Sequence, residues 1–138
     1  GRATGDEQAG PKYLGLPGRK PLLGWELAAS ARHICLTEGP FDWLTLRTWD
    51  IPALALAGTY VRPEVLKALG RFERLFLLLD NDEAGRQASE RLVQEFGQRA
   101  VPISLAGVKD VAELATRPNG RSILQAALEP WQPDVLAA

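Results

Sequence analysis

Two carboxylates stand one residue apart in Asp80-Asn81-Asp82, directly after the apolar run Leu75 to Leu79. A carboxylate that closes a buried strand sits at its rim, partly desolvated. Two negative charges this close repel each other, and a bound divalent cation relieves the repulsion. Magnesium suits such a pair: it takes oxygen ligands, uses one or two carboxylates, and leaves the remaining positions to water or substrate phosphates. The same residues also fit a plainer role, Asp82 as a helix N-cap and Asp80 as a turn former. A second group is Glu38-Gly39-x-x-Asp42. Glu38 ends another apolar run, and its place at a strand end opposite the aspartates suits a general acid or base. As an alternative it is a solvated turn residue. Gly39 permits close backbone approach or an unusual φ. Asp42 falls in the first turn of the next helix, where it either caps the dipole or supports the site. A third acid, Asp110, follows the fourth apolar run, with Lys109 before it. Asp110 is a ligand or an N-cap, and Lys109 contacts phosphate or is solvated.

Positioning these acids requires an alternation of strands and helices. Arg32–Thr37, Ala53–Ala57, Arg74–Leu79 and Val101–Leu105 read as short apolar strands. Between them, Phe41–Thr48 has helical spacing. Pro63 fits the first position of a helix that runs to Leu69, with Gly70 as its stop. Glu83–Phe96 is a strongly amphipathic helix with Ala84, Ala88, Leu92, Val93 and Phe96 on one stripe. Asp110–Ala115 and Ser122–Leu128 read as short helices. This order predicts an α/β fold, a mainly parallel sheet of about four strands covered by helices on both faces. In such sheets ligands bind beyond the carboxyl ends of the strands, which is where Glu38, Asp80, Asp82 and Asp110 fall. The expected organisation is a flexible, basic, Pro/Gly-rich lead-in over 1–29, a domain over 30–115, and a C-terminal helix and tail over 116–138.

Composition bounds the rest. The 138 residues fit one domain with tails. A hydrophobic fraction of 46% supports a real core. With 24% charged residues and a formal net charge of −1, bulk charge does not drive nucleic-acid binding, so any such contact must come from a local basic patch or through a metal. The single cysteine, Cys35, allows no intrachain disulfide or zinc ribbon and reads as a core thiol. The single histidine, His33, lacks the companions of a zinc site. No apolar run approaches the roughly 20 residues of a membrane span, no signal-peptide pattern is read, and a cytoplasmic protein is expected.

Thr37-Glu38-Gly39-Pro40-Phe41-Asp42 resembles the glutamate motif of Toprim domains. Leu79-Asp80-Asn81-Asp82-Glu83-Ala84-Gly85-Arg86 resembles their Asp-x-Asp motif, in the Ala-Gly-Arg form of bacterial DnaG-type primases. Ala57-Gly58-Thr59 looks like the glycine turn after the second strand, and Pro11-Lys12-Tyr13-Leu14 like the lead-in before a primase Toprim domain. The resemblance implies a Toprim fold in which Glu38 is the general acid/base. It implies that Asp80 and Asp82 bind Mg2+ (Mn2+ as an alternative), that Asp110 could join them, and that Asp42, Arg86, Lys109, Gly39 and Gly58 support the site or bind phosphate. Arg86 lies one turn after Asp82 and can pair with it or with a phosphate. The third motif departs from the primase pattern, because Ala112 stands where a second aspartate is expected and Glu113 comes one place later.

Three functions are compatible with these residues. One is the nucleotidyl-transfer domain of a primase-like replication protein, acting on nucleotides and a single-stranded DNA template, either cut from a longer chain or standing alone. Another is a Toprim nuclease that cleaves DNA or RNA. A third is a non-catalytic metal- or nucleotide-binding module that acts with a helicase partner or other domains. Trp25, Trp43, Trp49 and Trp131 fit core or inter-domain packing better than base stacking.

Overall fold

The computed structural model describes residues 22–57, 61–105 and 107–130. Four parallel strands form one sheet: β1 (His33–Thr37), β2 (Ala53–Ala55), β3 (Arg74–Leu78) and β4 (Ala100–Pro102), in the order β2-β1-β3-β4. The helices are α1 (Trp25–Ala28), α2 (Pro40–Thr48), α3 (Pro63–Leu69), α4 (Glu83–Phe96), α5 (Val111–Leu114) and α6 (Gly120–Leu128), with a 3-10 turn at Gly97–Arg99. None of the described helices is long and apolar enough to cross a membrane.

Strand side chains alternate between faces, and each face has its own core. Ile34, Leu36, Leu54, Leu75 and Leu77 pack with Ala28 of α1, Val65 and Leu69 of α3, and Leu92 of α4. Cys35, Ala53, Phe76, Leu78 and Val101 pack with Leu46 of α2, Val111 and Leu114 of α5, and Leu124 and Leu128 of α6. The near-continuous apolar strands are what burial on both faces demands. Cys35 belongs to this core, where burial pushes its thiol up to about 12.

Two strands are shorter than their apolar runs suggest. β4 stops at Pro102, and the Ile103 N–H makes its last rung to Leu77 O at 3.0 Å. The partner strand β3 ends at Leu78, so Ser104 and Leu105 have no ladder to join. β2 stops at Ala55 because Ala57 takes a left-handed φ of 54°. Its N–H donates to Glu38 O at 2.9 Å, which fixes the backbone of the glutamate turn.

The described end of the lead-in, from residue 22 on, packs against the sheet. Leu22 is fully buried, and Leu23 makes an antiparallel bridge to Ala55 on the open edge of β2. Gly24, at φ 93°, then turns the chain into α1 so tightly that a Cβ would meet Trp43 Nε1 at 2.3 Å. Residues 1–21, Gly58, Tyr60 and Trp131 lie outside the described residues.

Candidate metal centre

The chain leaves β1, β3 and β4 at the same edge of the sheet, and each exit carries an acid. Asp80 follows β3 by two residues. Glu38 follows β1 directly, and its Oε1 accepts the Asp80 N–H at 3.2 Å, joining two neighbouring strand ends. Thr37, fully buried, anchors this turn through Oγ1, which donates to Leu54 O at 3.4 Å. The Asn81 N–H reaches Lys109 O at 3.4 Å, which draws the segment after β4 beside the aspartate turn.

Asp42, Asp80 and Asp110 offer one carboxylate oxygen each within 4.8 Å of one another. Asp42 is 5% exposed although it lies in the first turn of α2. Its Oδ1 accepts the Ala112 N–H at 2.8 Å. The Asp80 Oδ1 is buried and has no hydrogen-bond partner among the described residues. A buried carboxylate oxygen without a donor is costly. Three crowded carboxylates make the cost larger, and a hard cation would remove both penalties at once. The donor set is all oxygen, as such a cation requires. These residues therefore fit a metal ion.

Proton affinities report the same crowding. Desolvation, opposed by the Ala112 N–H and aided by the charges of Asp110 and Asp80, pushes Asp42 up to about 6. Asp80 is raised by desolvation, then by Asp110 and Asp82, while Lys109 acts against the shift. Glu38 is raised chiefly by desolvation, with the Asp80 N–H opposing, and by the charges of Asp80, Asp82 and Asp42.

Asp82 stands apart from the trio. It is exposed, and its Oδ1 accepts the Gly85 N–H at 2.8 Å as the N-cap of α4. Its charge still reaches Glu38 and Asp80. Asp110 combines both of its possible uses: Oδ1 accepts the Glu113 N–H at 2.9 Å as the N-cap of α5, and the residue is a member of the trio. Glu113 turns back to accept the Lys109 N–H at 2.8 Å. Its carboxylate is thereby occupied at the start of α5 rather than replacing the acid that Ala112 lacks. Arg86 pairs with Glu83, not with Asp82. Gly39 is the extended N-cap of α2, with open space around its Cα.

A cavity of about 360 Å³ opens beside the trio between β3, α4 and the segment after β4. Its acidic end carries Asp80 and Asp110, Arg86 and Lys109 supply cations, and Ser89 and Ser104 supply hydroxyls. The two serines have no signal in sequence spacing, since each is an ordinary polar residue on a solvent-facing stretch.

A family model described as Toprim-like matches residues 35–115. An uncharacterized protein of Mycoplasma pneumoniae is 35% identical over 117 residues, covering 75% of this chain and 55% of that protein. A DNA primase of Thermotoga maritima is 32% identical over 107 residues, covering 69% of this chain and 19% of the primase. The solved primase fragment of the bacteriophage T7 primase-helicase protein superposes with a TM-score of 0.62 at 25% identity, over 78% of this chain and 48% of that one. The chain thus spans about half of the Mycoplasma protein and about a fifth of the Thermotoga primase. With the family model covering more than half of the chain and all three acidic strand exits, the chain belongs to the Toprim-like family.

Proposed function

We propose that this chain is the magnesium-dependent nucleotidyl-transfer domain of a DNA primase-like replication protein, joining nucleotides on a single-stranded DNA template. The observation that carries the reading is the unpartnered, buried Asp80 Oδ1 at the meeting point of Asp42 and Asp110. Likeness to a DNA primase and to the primase fragment of a primase-helicase supports primer synthesis among phosphodiester reactions. It also suggests a helicase, or further domains of a longer chain, as partners.

Asp80, Asp42 and Asp110 would hold the ion, with Asp82 close enough to add charge. Magnesium, or manganese in its place, would orient phosphate oxygens and neutralise developing charge. Glu38 receives the proton of the attacking hydroxyl, and its raised proton affinity brings it closer to the range where a general base works. Arg86 and Lys109, on the cavity wall, neutralise the phosphates of an incoming nucleotide. Gly39 keeps a side chain out of the turn that faces the substrate. Arg86 must leave Glu83 to do its part, which is a small cost for an exposed ion pair.

The test is primer synthesis by the chain on single-stranded DNA with nucleotides and magnesium, compared with a Glu38→Gln variant. Template-dependent extension lost in the variant supports the reading. Nicking of duplex or trimming of RNA instead, equally dependent on Glu38, would make the chain a nuclease. Metal binding with neither activity would make it a binding module.

A further inference from the structure

The acids and the cations of this domain collect at opposite ends of the sheet. Glu38, Asp80 and Asp110 follow the strands, at the carboxyl ends. At the amino ends, Arg32 precedes β1, Lys67 and Arg71 precede β3, Arg74 opens β3, and Arg99 precedes β4. β1 and β3 are adjacent and in register, with His33 opposite Arg74, so these cations share one end of the molecule. Five-residue strands at about 3.3 Å per residue keep the two ends roughly 15 Å apart.

Helix ends alone do not account for the cluster. Lys67 lies in the last turn of α3, where a cation suits the dipole. Arg32, Arg71 and Arg74 lie outside any helix. Two acids near this end are engaged: Glu73 accepts both Arg32 Nε and Nη2 at 3.0 Å, and Glu95 faces Arg91 at 3.5 Å. Asp50 stands on the β2 side, next to Arg47 in the turn after α2.

The guanidinium groups are also held in place. Arg71 lies 5.8 Å from the Trp25 ring centroid and 5.5 Å from that of Phe72, two rings that pack edge to face. Arg99 donates to Gly70 O at 2.7 Å and to Phe72 O, and lies 5.3 Å from the Phe96 ring. Both residues are exposed despite these contacts. Exposed cations fixed on aromatic faces lose little freedom on meeting a phosphate, and guanidinium matches phosphate oxygens bidentately. A net charge of −1 leaves a polyanion no general attraction to the molecule, so an attractive local field has to come from an end such as this one.

We infer that the amino-terminal end of the sheet, through Lys67, Arg71, Arg74 and Arg99, is a second nucleic-acid contact that binds the phosphate backbone of a single strand independently of the metal centre. It holds a strand by charge, without reading bases. The metal centre acts at the opposite end, so this contact anchors a strand rather than presenting it for chemistry.

Anisotropy of a labelled oligothymidylate with the 138-residue chain, in EDTA and at two salt concentrations, tests this. Lys67 and Arg71 are exposed, so the K67E/R71E pair suits the test, with K67Q/R71Q as a milder form. The expected result is at least a ~10-fold weaker affinity for K67E/R71E and a salt slope smaller by about 1.4, as two lost phosphate contacts on a single strand require. The glutamine pair falls between, and Asp80→Asn binds at least as tightly as the parent. Unchanged binding in K67E/R71E, absent binding in the parent, or loss confined to Asp80→Asn overturns the inference. If polyglutamate binds and the oligonucleotide does not, the surface takes an acidic protein and the nucleic-acid assignment falls. Because EDTA removes any ion, the outcome does not depend on whether the metal centre synthesises primers.

Discussion

The Asp42 Oδ1 accepts the backbone N–H of Ala112 at 2.8 Å, across 70 residues of sequence. Ala112 occupies the position where a second aspartate of the third motif is expected. The structure supplies a carboxylate to this neighbourhood from α2 instead, and holds it with the N–H of the residue that lacks one. Asp42 thereby reaches Asp80 and Asp110 and stays 5% exposed.

Asp42→Asn separates charge from shape at this contact. The amide oxygen can still accept the Ala112 N–H, while the negative charge is gone. Magnesium should stabilise the parent by about 1.4 kcal/mol at ten times its Kd, a shift of several degrees in Tm. In Asp42→Asn that gain should shrink severalfold, and in the Asp80→Asn variant it should vanish. Asp42→Ala should also cost about 1–3 kcal/mol without metal, because the Ala112 N–H loses its partner in a part-buried site. Thermal melts with and without magnesium read all three, and equal gains in parent and variants would remove the trio as the binding site.

The fold was legible because its signals agree at every level. Ile34, Leu36, Leu75 and Leu77 on one face, and Cys35 and Phe76 on the other, produce apolar runs that only a two-sided buried strand explains. Glu83–Phe96 matches its sequence reading to the residue, since Asp82 caps one end and Gly97 turns the other. The strand ends at Ala55 and Pro102 were not legible. They depend on a left-handed Ala57 and on where the neighbouring strand stops, and neither is local. The site was legible in part for the same reason. Which acids follow strands can be read from order alone, so Glu38, Asp80 and Asp110 stood out. That Asp42 turns inward while Asp82 turns to its own helix depends on α5 lying against α2, a packing relation with no sequence period.

Without metal the protein should become more stable as pH falls from 7 to 5. Asp42 has a folded value of about 6, above its ordinary 3.8. A group raised on folding favours the folded state when protonated, so its contribution is complete below 3.8 and is lost as pH rises through 6. Glu38 and Asp80 are raised as well and act in the same direction. For Asp42 the gain between pH 7 and 5 should be on the order of 1 kcal/mol. Urea melts in EDTA should show it, and Asp42→Asn should flatten the profile. With magnesium present the trend should weaken or reverse, because protons compete with the ion. A metal-free stability that declines steadily from pH 7 to 5 would contradict the crowding described here.

Gly85→Ala should be among the most damaging single-methyl changes in the domain. A Cβ at Gly85 would lie 1.9 Å from Asp80 O and 2.9 Å from Asp80 C. Neither is the end of a flexible side chain, so α4 or the Asp80 turn must move. The expected cost is about 1–3 kcal/mol of stability. Moving the turn also displaces Asp80 Oδ1, so magnesium stabilisation should fall together with the melting temperature. A variant that keeps the parent's magnesium response while losing stability would show that α4 yields and the aspartate turn does not.

Asp82 can be divided into cap and charge by two substitutions. Its Oδ1 accepts the Gly85 N–H at 2.8 Å, and its charge raises Asp80 and Glu38. Asp82→Ser keeps a capping oxygen and removes the charge. Asp82→Ala removes both. If capping is the residue's structural use, the alanine variant should be about 1 kcal/mol less stable than the serine variant in EDTA. If its charge helps to hold the ion, both should lose the same share of magnesium affinity, because neither carries a carboxylate. Isothermal titration with magnesium beside melts in EDTA reads the two effects separately. Parental magnesium affinity in the serine variant would confine Asp82 to the helix end and leave Asp42, Asp80 and Asp110 to bind the ion alone.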